Sequence, residues 1–123
     1  MKKSKTKLSF GKHAMALGRR IRVSPQKLNL VAALIRGLPV EEARVRLGLC
    51  SRRIAHDVQK ILMSAVANAE HNKGLDPDAL YVTEATVGRA LVMRRLDIKG
   101  RSRSGRIEKP FSHLRVVVSE AKA

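Results

Sequence analysis

Aromatic side chains are almost missing from this chain. Its 123 residues include Phe10, Tyr81 and Phe111 but no tryptophan. Proteins that read single-stranded RNA base by base stack the bases on aromatic platforms. Three scattered rings make no platform, so any nucleic acid must be recognised through phosphate, sugar and shape. Cysteine is equally scarce. The single Cys50 excludes an internal disulfide and a cysteine-rich zinc site, and beside Leu49 it reads as a small apolar residue. No stretch approaches about 18 uninterrupted apolar residues, so no membrane-spanning helix is expected. The basic start Met1 to Lys7 is not followed by an apolar run of signal-peptide length. The chain therefore reads as an intracellular, reduced protein. It has no visible internal repeat.

Acidic residues are the next shortage. There are 10 of them against 26 lysines and arginines, a formal charge of +16 and a pI near 11.3. The imbalance is patterned. The first 27 residues hold nine basic groups and no acid, whereas residues 28–88 hold seven of each. From Arg89 to Lys109 eight basic residues face two acids, Asp97 and Glu108. Charges stay solvated unless they are paired. A neutral body with two basic extensions is the electrostatic footprint of a polyanion binder, and nucleic acid is the abundant polyanion.

Catalytic constellations are absent as well. His13, His56, His71 and His113 are scattered, none at metal-ligand spacing from another. No Ser-His-Asp order stands out. Gly100 and Gly105 do not lie between a strand and the helix it opens, as a phosphate-binding loop would require. No enzyme activity, metal or cofactor is expected.

What remains is a pattern of short elements. Residues 1–13 lack periodicity and read as a flexible basic arm. Around 14–23, Leu17, Ile21 and Val23 interleave with Arg19, Arg20 and Arg22, the alternation of a strand with one basic, wet face. Ser24-Pro25 supplies a cap and a first-turn proline, and Leu28, Val31, Leu34 and Ile35 then recur at helical spacing up to Gly37 and Pro39. A second helix is expected from about Val40, with Glu41 and Glu42 at its dipole's positive end and Gly48 as its stop. A third and longest helix follows, with Ser51 as its cap. Its stripe is Ile54, Val58, Ile61, Leu62, Ala65 and Ala69, and Lys73-Gly74 ends it. Leu75 to Asp78 is turn material.

Two apolar β-like runs, Leu80 to Val87 and Leu114 to Val118, flank the long basic loop. Glycines 100 and 105 forbid a helix between them and permit tight bends. The expected class is α+β: three helices packed on a small antiparallel three-stranded sheet, with a long β-hairpin extension. Residues 14–123 form one globular domain, and the hairpin spans about 86–112.

Two motifs carry alternatives. The Gly-Leu-Cys-Ser link between the second and third helices permits a helix-turn-helix, but an Ala-rich third helix favours core packing. The small residues of Ser64 to Asn72 let another backbone approach closely or simply reflect helix propensity. Asn68, His71 and Asn72 are the polar exceptions, able to bond a 2′-hydroxyl or a phosphate.

Several segments together resemble one known family. They are Arg22-Val23-Ser24-Pro25-Gln26-Lys27-Leu28, Leu34-Ile35-Arg36-Gly37, Ser64 through Asn72, Lys99-Gly100-Arg101, and Ser112-His113 followed by Val116-Val117-Val118. In order and spacing, from about Ala14 to Glu120, they are similar to the family of the twenty-second protein of the bacterial large ribosomal subunit. The resemblance implies a body on the solvent side of a cytoplasmic ribosome and a hairpin threaded into the large subunit. It implies contacts with several domains of 23S ribosomal RNA and with neighbouring ribosomal proteins, and help in subunit assembly. The hairpin tip, about Met93 to Arg106, would line the polypeptide exit tunnel beside the nascent chain, near where macrolide antibiotics bind. Carried onto this chain, the tunnel-lining residues are Leu96, Asp97, Ile98, Lys99, Gly100 and Arg101. Leu96-Asp97-Ile98 departs from the family's usual basic run, with Arg95 or Arg101 available to pair with Asp97.

The expected RNA contacts are Arg94, Arg95, Lys99, Arg101, Arg103, Arg106 and Lys109 on the hairpin. On the body they are Arg19, Arg20, Arg22 and Lys27, then Arg36, Asn68 and His71. Their role would be to neutralise phosphates, with arginine able also to grip phosphate in a bidentate way or to stack on a base. Two other classes compete: a DNA-binding regulator using the third helix, and a cationic protein lying on membranes. The latter needs a basic amphipathic helix, whereas here the basic residues lie mainly on the extended segments.

Overall fold

The computed structural model describes residues 12–120. Three helices lie against one face of an antiparallel sheet. In chain order the elements are β1 (His13–Ile21), α1 (Pro25–Ile35), α2 (Val40–Leu49), α3 (Ala55–Lys73), a 3-10 turn (Pro77–Ala79), β2 (Leu80–Ile98) and β3 (Ser104–Glu120). The sheet order is β1-β3-β2, which puts the last strand in the centre. This is the expected α+β architecture. Most of the expected arm at 1–13 lies outside the described residues, and His13 already opens β1.

Local chemistry accounts for most element ends. Ser24 caps α1, its hydroxyl accepting from the Lys27 amide, and Pro25 occupies the first turn. After α1, Gly37 takes a left-handed φ of 75° and its amide donates to the Val82 carbonyl, so the helix end is stitched to β2. Gly74 ends α3 in the left-handed conformation, and the amide of Leu75 donates to the Ala69 carbonyl.

Several expectations need correction. Ser51 does not cap α3. A turn from Arg52 intervenes, Ile54 is the capping residue, and no side chain caps that end. Gly48 lies inside α2, which runs on to Leu49. Leu34 is exposed, and Ala32 completes the buried stripe of α1 with Leu28, Val31 and Ile35. The basic stretch is mostly strand rather than loop, for only residues 99–103 lie between β2 and β3. Its backbone groups find ladder partners even though its side chains find no core.

The core is a layer of small and branched side chains. Val58, Leu62, Ala65 and Ala69 of α3 and Leu28, Val31 and Ile35 of α1 meet Ala14, Ala16, Val82, Ala85, Leu114, Val116 and Val118 of the sheet. Thus α3 is a core-packing helix, not a reading head. β1 contributes only small residues where α3 crosses it. A Cβ at Gly18 would come within 2.3 Å of Ile61 Cδ1 and 3.1 Å of its Cγ1. Gly18→Ala should therefore displace Ile61 and lower stability by about 1–3 kcal/mol. Urea denaturation measures this, and an unchanged midpoint would mean that Ile61 rotates away freely.

Candidate nucleic-acid interface

The ribbon begins where β1 ends. Ile21 pairs with Ser112, and Ser112 pairs with Arg89, so these three residues form the last row of the three-stranded sheet. Beyond Ser112, β3 has only β2 as a neighbour, and a register shift between Arg89 and Val92 marks the exit from the body. At about 3.3 Å per residue the stretch from Arg89 to Ile98 reaches roughly 30 Å.

Cross-strand partners share a face of such a ribbon. Arg94 stands opposite Glu108, Leu96 opposite Arg106 and Ile98 opposite Ser104; Met93 stands opposite Lys109, Arg95 opposite Ile107 and Asp97 opposite Gly105. Basic groups therefore project from both faces. The two faces suit a ligand that surrounds the ribbon better than a flat surface lying along one side.

The tip bends differently from expectation. The Arg103 amide donates to the Gly100 carbonyl, and Arg101 and Ser102 carry φ values of 58° and 56°. Positive φ at both central positions is the backbone signature of the hairpin turn that matches strand twist. The left-handed residues are thus Arg101 and Ser102, not the neighbouring glycines. Gly105 serves another purpose: Lys99 Cε lies 3.1 Å from where its Cβ would stand. Over that bare position Lys99 reaches Asp97 at 3.1 Å, so Asp97 pairs with Lys99 and not with Arg95 or Arg101. Leu96 and Ile98 remain 68% and 83% exposed.

The internal ledger of charge is short. Among the described residues the only ion pairs are Lys99–Asp97 and Arg46–Glu42. Arg94, Arg95, Arg101, Arg103 and Arg106 are exposed and meet no carboxylate there. Arg95 donates to the carbonyl of Arg94, leaving its charge uncompensated.

The body's candidates divide into groups. Arg19, Arg20 and Arg22 sit at the end of β1, beside the root of the ribbon, where the register shifts between Gly18 and Ile21. Arg20 is left-handed there, with φ 55°, and its amide donates to His113 Nδ1. Lys27 lies in the first turn of α1. It shares a cleft with Arg52, Arg53, Val23 and Ile54. Arg36 is held inside the fold: its Nε donates to the Ala85 carbonyl at 2.8 Å and its Nη2 to Asn29 Oδ1. Asn68 is half-buried and donates to the Met15 carbonyl at 3.0 Å, near the start of β1. With His13, Asn72 and Lys73 it lines a second cleft, at the end of β1 opposite to the ribbon. His71 is exposed on the last turns of α3. The structure therefore gathers Arg19, Arg20 and Arg22 with the ribbon and sets Asn68 and His71 apart. Arg52, Arg53, Arg89 and Lys73 join these groups without having been singled out as contacts. The Arg52-Arg53 doublet was visible in the sequence, but its partnership with Lys27 is tertiary.

No group of metal-ligating side chains occurs among the described residues, and no helix there is long and apolar enough to cross a membrane. Residues 16–119 match the family model described as ribosomal protein L22p/L17e. The chain belongs to that family. It is 56% identical to the large ribosomal subunit protein uL22 of Beijerinckia indica over 124 residues, covering all of this chain and 96% of the relative. The uL22 proteins of Gluconacetobacter diazotrophicus and Agrobacterium fabrum are 58% and 53% identical, covering 89% and 99% of this chain and 82% and 95% of theirs. Membership in a ribosomal protein family makes the chain a structural component rather than an enzyme.

The geometry separates two kinds of arginine. Arg36→Ala should cost about 1–2 kcal/mol, because it strips a hydrogen bond from the Ala85 carbonyl and another from Asn29. Arg103→Ala should change stability by less than about 0.5 kcal/mol. Thermal or urea unfolding of the two variants decides, and equal effects would contradict the division.

Proposed function

We propose that this chain is a structural constituent of the large ribosomal subunit that binds 23S ribosomal RNA and bridges several of its domains during assembly. The cytoplasmic ribosome is its place of work, and its partners there are the RNA and adjoining ribosomal proteins. The hairpin tip, from Leu96 to Arg101, lines the exit tunnel and meets the nascent polypeptide. The observation that carries this reading is the ribbon: a two-stranded extension whose arginines find no carboxylate among the described residues. RNA helices that converge repel one another through their phosphates, and an arginine-bearing rod set between them removes that repulsion. Because both faces of the ribbon are basic, it can touch RNA on two sides at once.

Membership in the L22p/L17e family supports this reading, as does the scarcity of aromatics, which suits recognition of backbone and shape. Asp97 is consistent with it too, since its charge is taken up locally by Lys99 and the ribbon's outward charge stays positive.

Two measurements test the proposal. With about ten phosphate contacts, the affinity for a folded 23S ribosomal RNA transcript should fall with salt at a log–log slope on the order of −7 to −9. A flat dependence would count against the mechanism. Replacing Arg101 and Arg103 together by alanine should weaken the complex while the far-ultraviolet circular dichroism stays unchanged, since neither side chain supports the body. Loss of helical signal in that variant would make these residues structural instead.

A further inference from the structure

The cleft lined by Val23, Lys27, Arg52, Arg53 and Ile54 has a composition that the fold alone does not explain. Its floor is apolar, for Ile54 is buried and Val23 packs on the core. Its rim is three cations from two distant parts of the chain, with no acid among the lining residues. None of the three takes part in an ion pair among the described residues. Like charges brought together around one opening repel, and an anion is the ligand that relieves them.

Size and place narrow the ligand. The volume of the cleft is about 210 Å³, below the roughly 300–1,000 Å³ of pockets that enclose whole small molecules. It fits one piece of a longer polymer. It also adjoins the ribbon. Val23 follows Arg22, and its carbonyl accepts from the hydroxyl of Ser112, the residue paired with Arg89 at the ribbon root. The opening therefore lies next to the ribbon root, near Arg22 and Arg89.

We propose that this cleft seats a single unstacked nucleotide of the ribosomal RNA, with its base against Val23 and Ile54 and beneath an arginine plane, and its phosphate among Lys27, Arg52 and Arg53. Unpaired bases are recognised by stacking on aromatic rings or on guanidinium planes. The cleft has no ring, so arginine is the residue able to cover the base while holding charge near the phosphate. The inference rests on the RNA-binding reading above and adds to it a base-contacting site on the body.

The test uses the full chain and a 23S ribosomal RNA transcript. Wild type, R52A/R53A and R52K/R53K are compared for affinity across salt and for base protection against dimethyl sulfate and a carbodiimide. The wild type should shield an unpaired nucleotide that both variants leave reactive. R52A/R53A should bind at least about tenfold more weakly, with a salt slope shallower by about one to two. R52K/R53K should keep the slope, since it keeps the charge, and still lose the protection. If no nucleotide regains reactivity in R52K/R53K, the cleft supplies charge only and the base seat is refuted. If R52A/R53A keeps wild-type RNA binding and loses only its affinity for poly-L-glutamate, the ligand is an acidic protein segment and the proposal fails. Failure of the wild type itself to bind the transcript would instead overturn the RNA-binding reading.

Discussion

Uncompensated positive charge on a coreless ribbon is the constraint around which this molecule is arranged. The same two strands live in two environments. From Leu80 to Val87 and from Leu114 to Val118 they carry the core-facing Val82, Ala85, Val116 and Val118 beneath the helices. From Val92 to Ile98 and from Ser104 to Pro110 they carry arginine and lysine into solvent. A two-stranded ribbon by itself is marginal in water. Here the body acts as a clamp on the inner half, and the ladder of hydrogen bonds continues outward past the register shift between Arg89 and Val92. The position of the last strand at the centre of the sheet follows from this. β3 is held on both sides by β1 and β2, so one of the two ribbon strands is anchored along both edges in the body.

The body's own cations follow the same geometry. Ile21, Ser112 and Arg89 share a row, so the turn out of β1 places Arg19, Arg20 and Arg22 at the ribbon root. The chain then enters α1 through Ser24, bringing Lys27 toward Arg52 and Arg53. These groups add cations to the body beside the ribbon root. Arg36 stands outside that logic. Its guanidinium bonds Ala85 and Asn29, so it fastens α1 to β2.

Periodicity and punctuation made most of the fold legible. Ser24-Pro25 and Lys73-Gly74 mark helix ends by chemistry that acts within a few residues, and the stripe of α3 has a single period. Features that depend on distant partners were not legible. Ser51 has the side chain of a cap, but the Arg52 carbonyl binds the Ala55 amide and delays the helix. Leu34 fits the period of α1 yet faces away from the sheet, a matter of how the helix is rotated. The clustering of charge was plain in the sequence. Which arginines stand at the ribbon root, and that Lys27 meets Arg52 and Arg53, required the sheet register and the packing of α1 near α3.

The turn at the tip departs from the usual sequence preference. Two adjacent left-handed residues in a hairpin turn favour glycine or asparagine, and an ordinary L-residue in that conformation costs roughly 1–2 kcal/mol. Glycines flank the turn at 100 and 105, yet the left-handed positions hold Arg101 and Ser102. Nothing in the body offsets that cost, since the Arg101 guanidinium has no carboxylate partner among the described residues. The same side chain, carried at the far end of a rod, is well placed to reach an external phosphate. A charge-assisted hydrogen bond there contributes more than a neutral one and can exceed the backbone penalty. Local strain and uncompensated charge thus meet in one residue, Arg101.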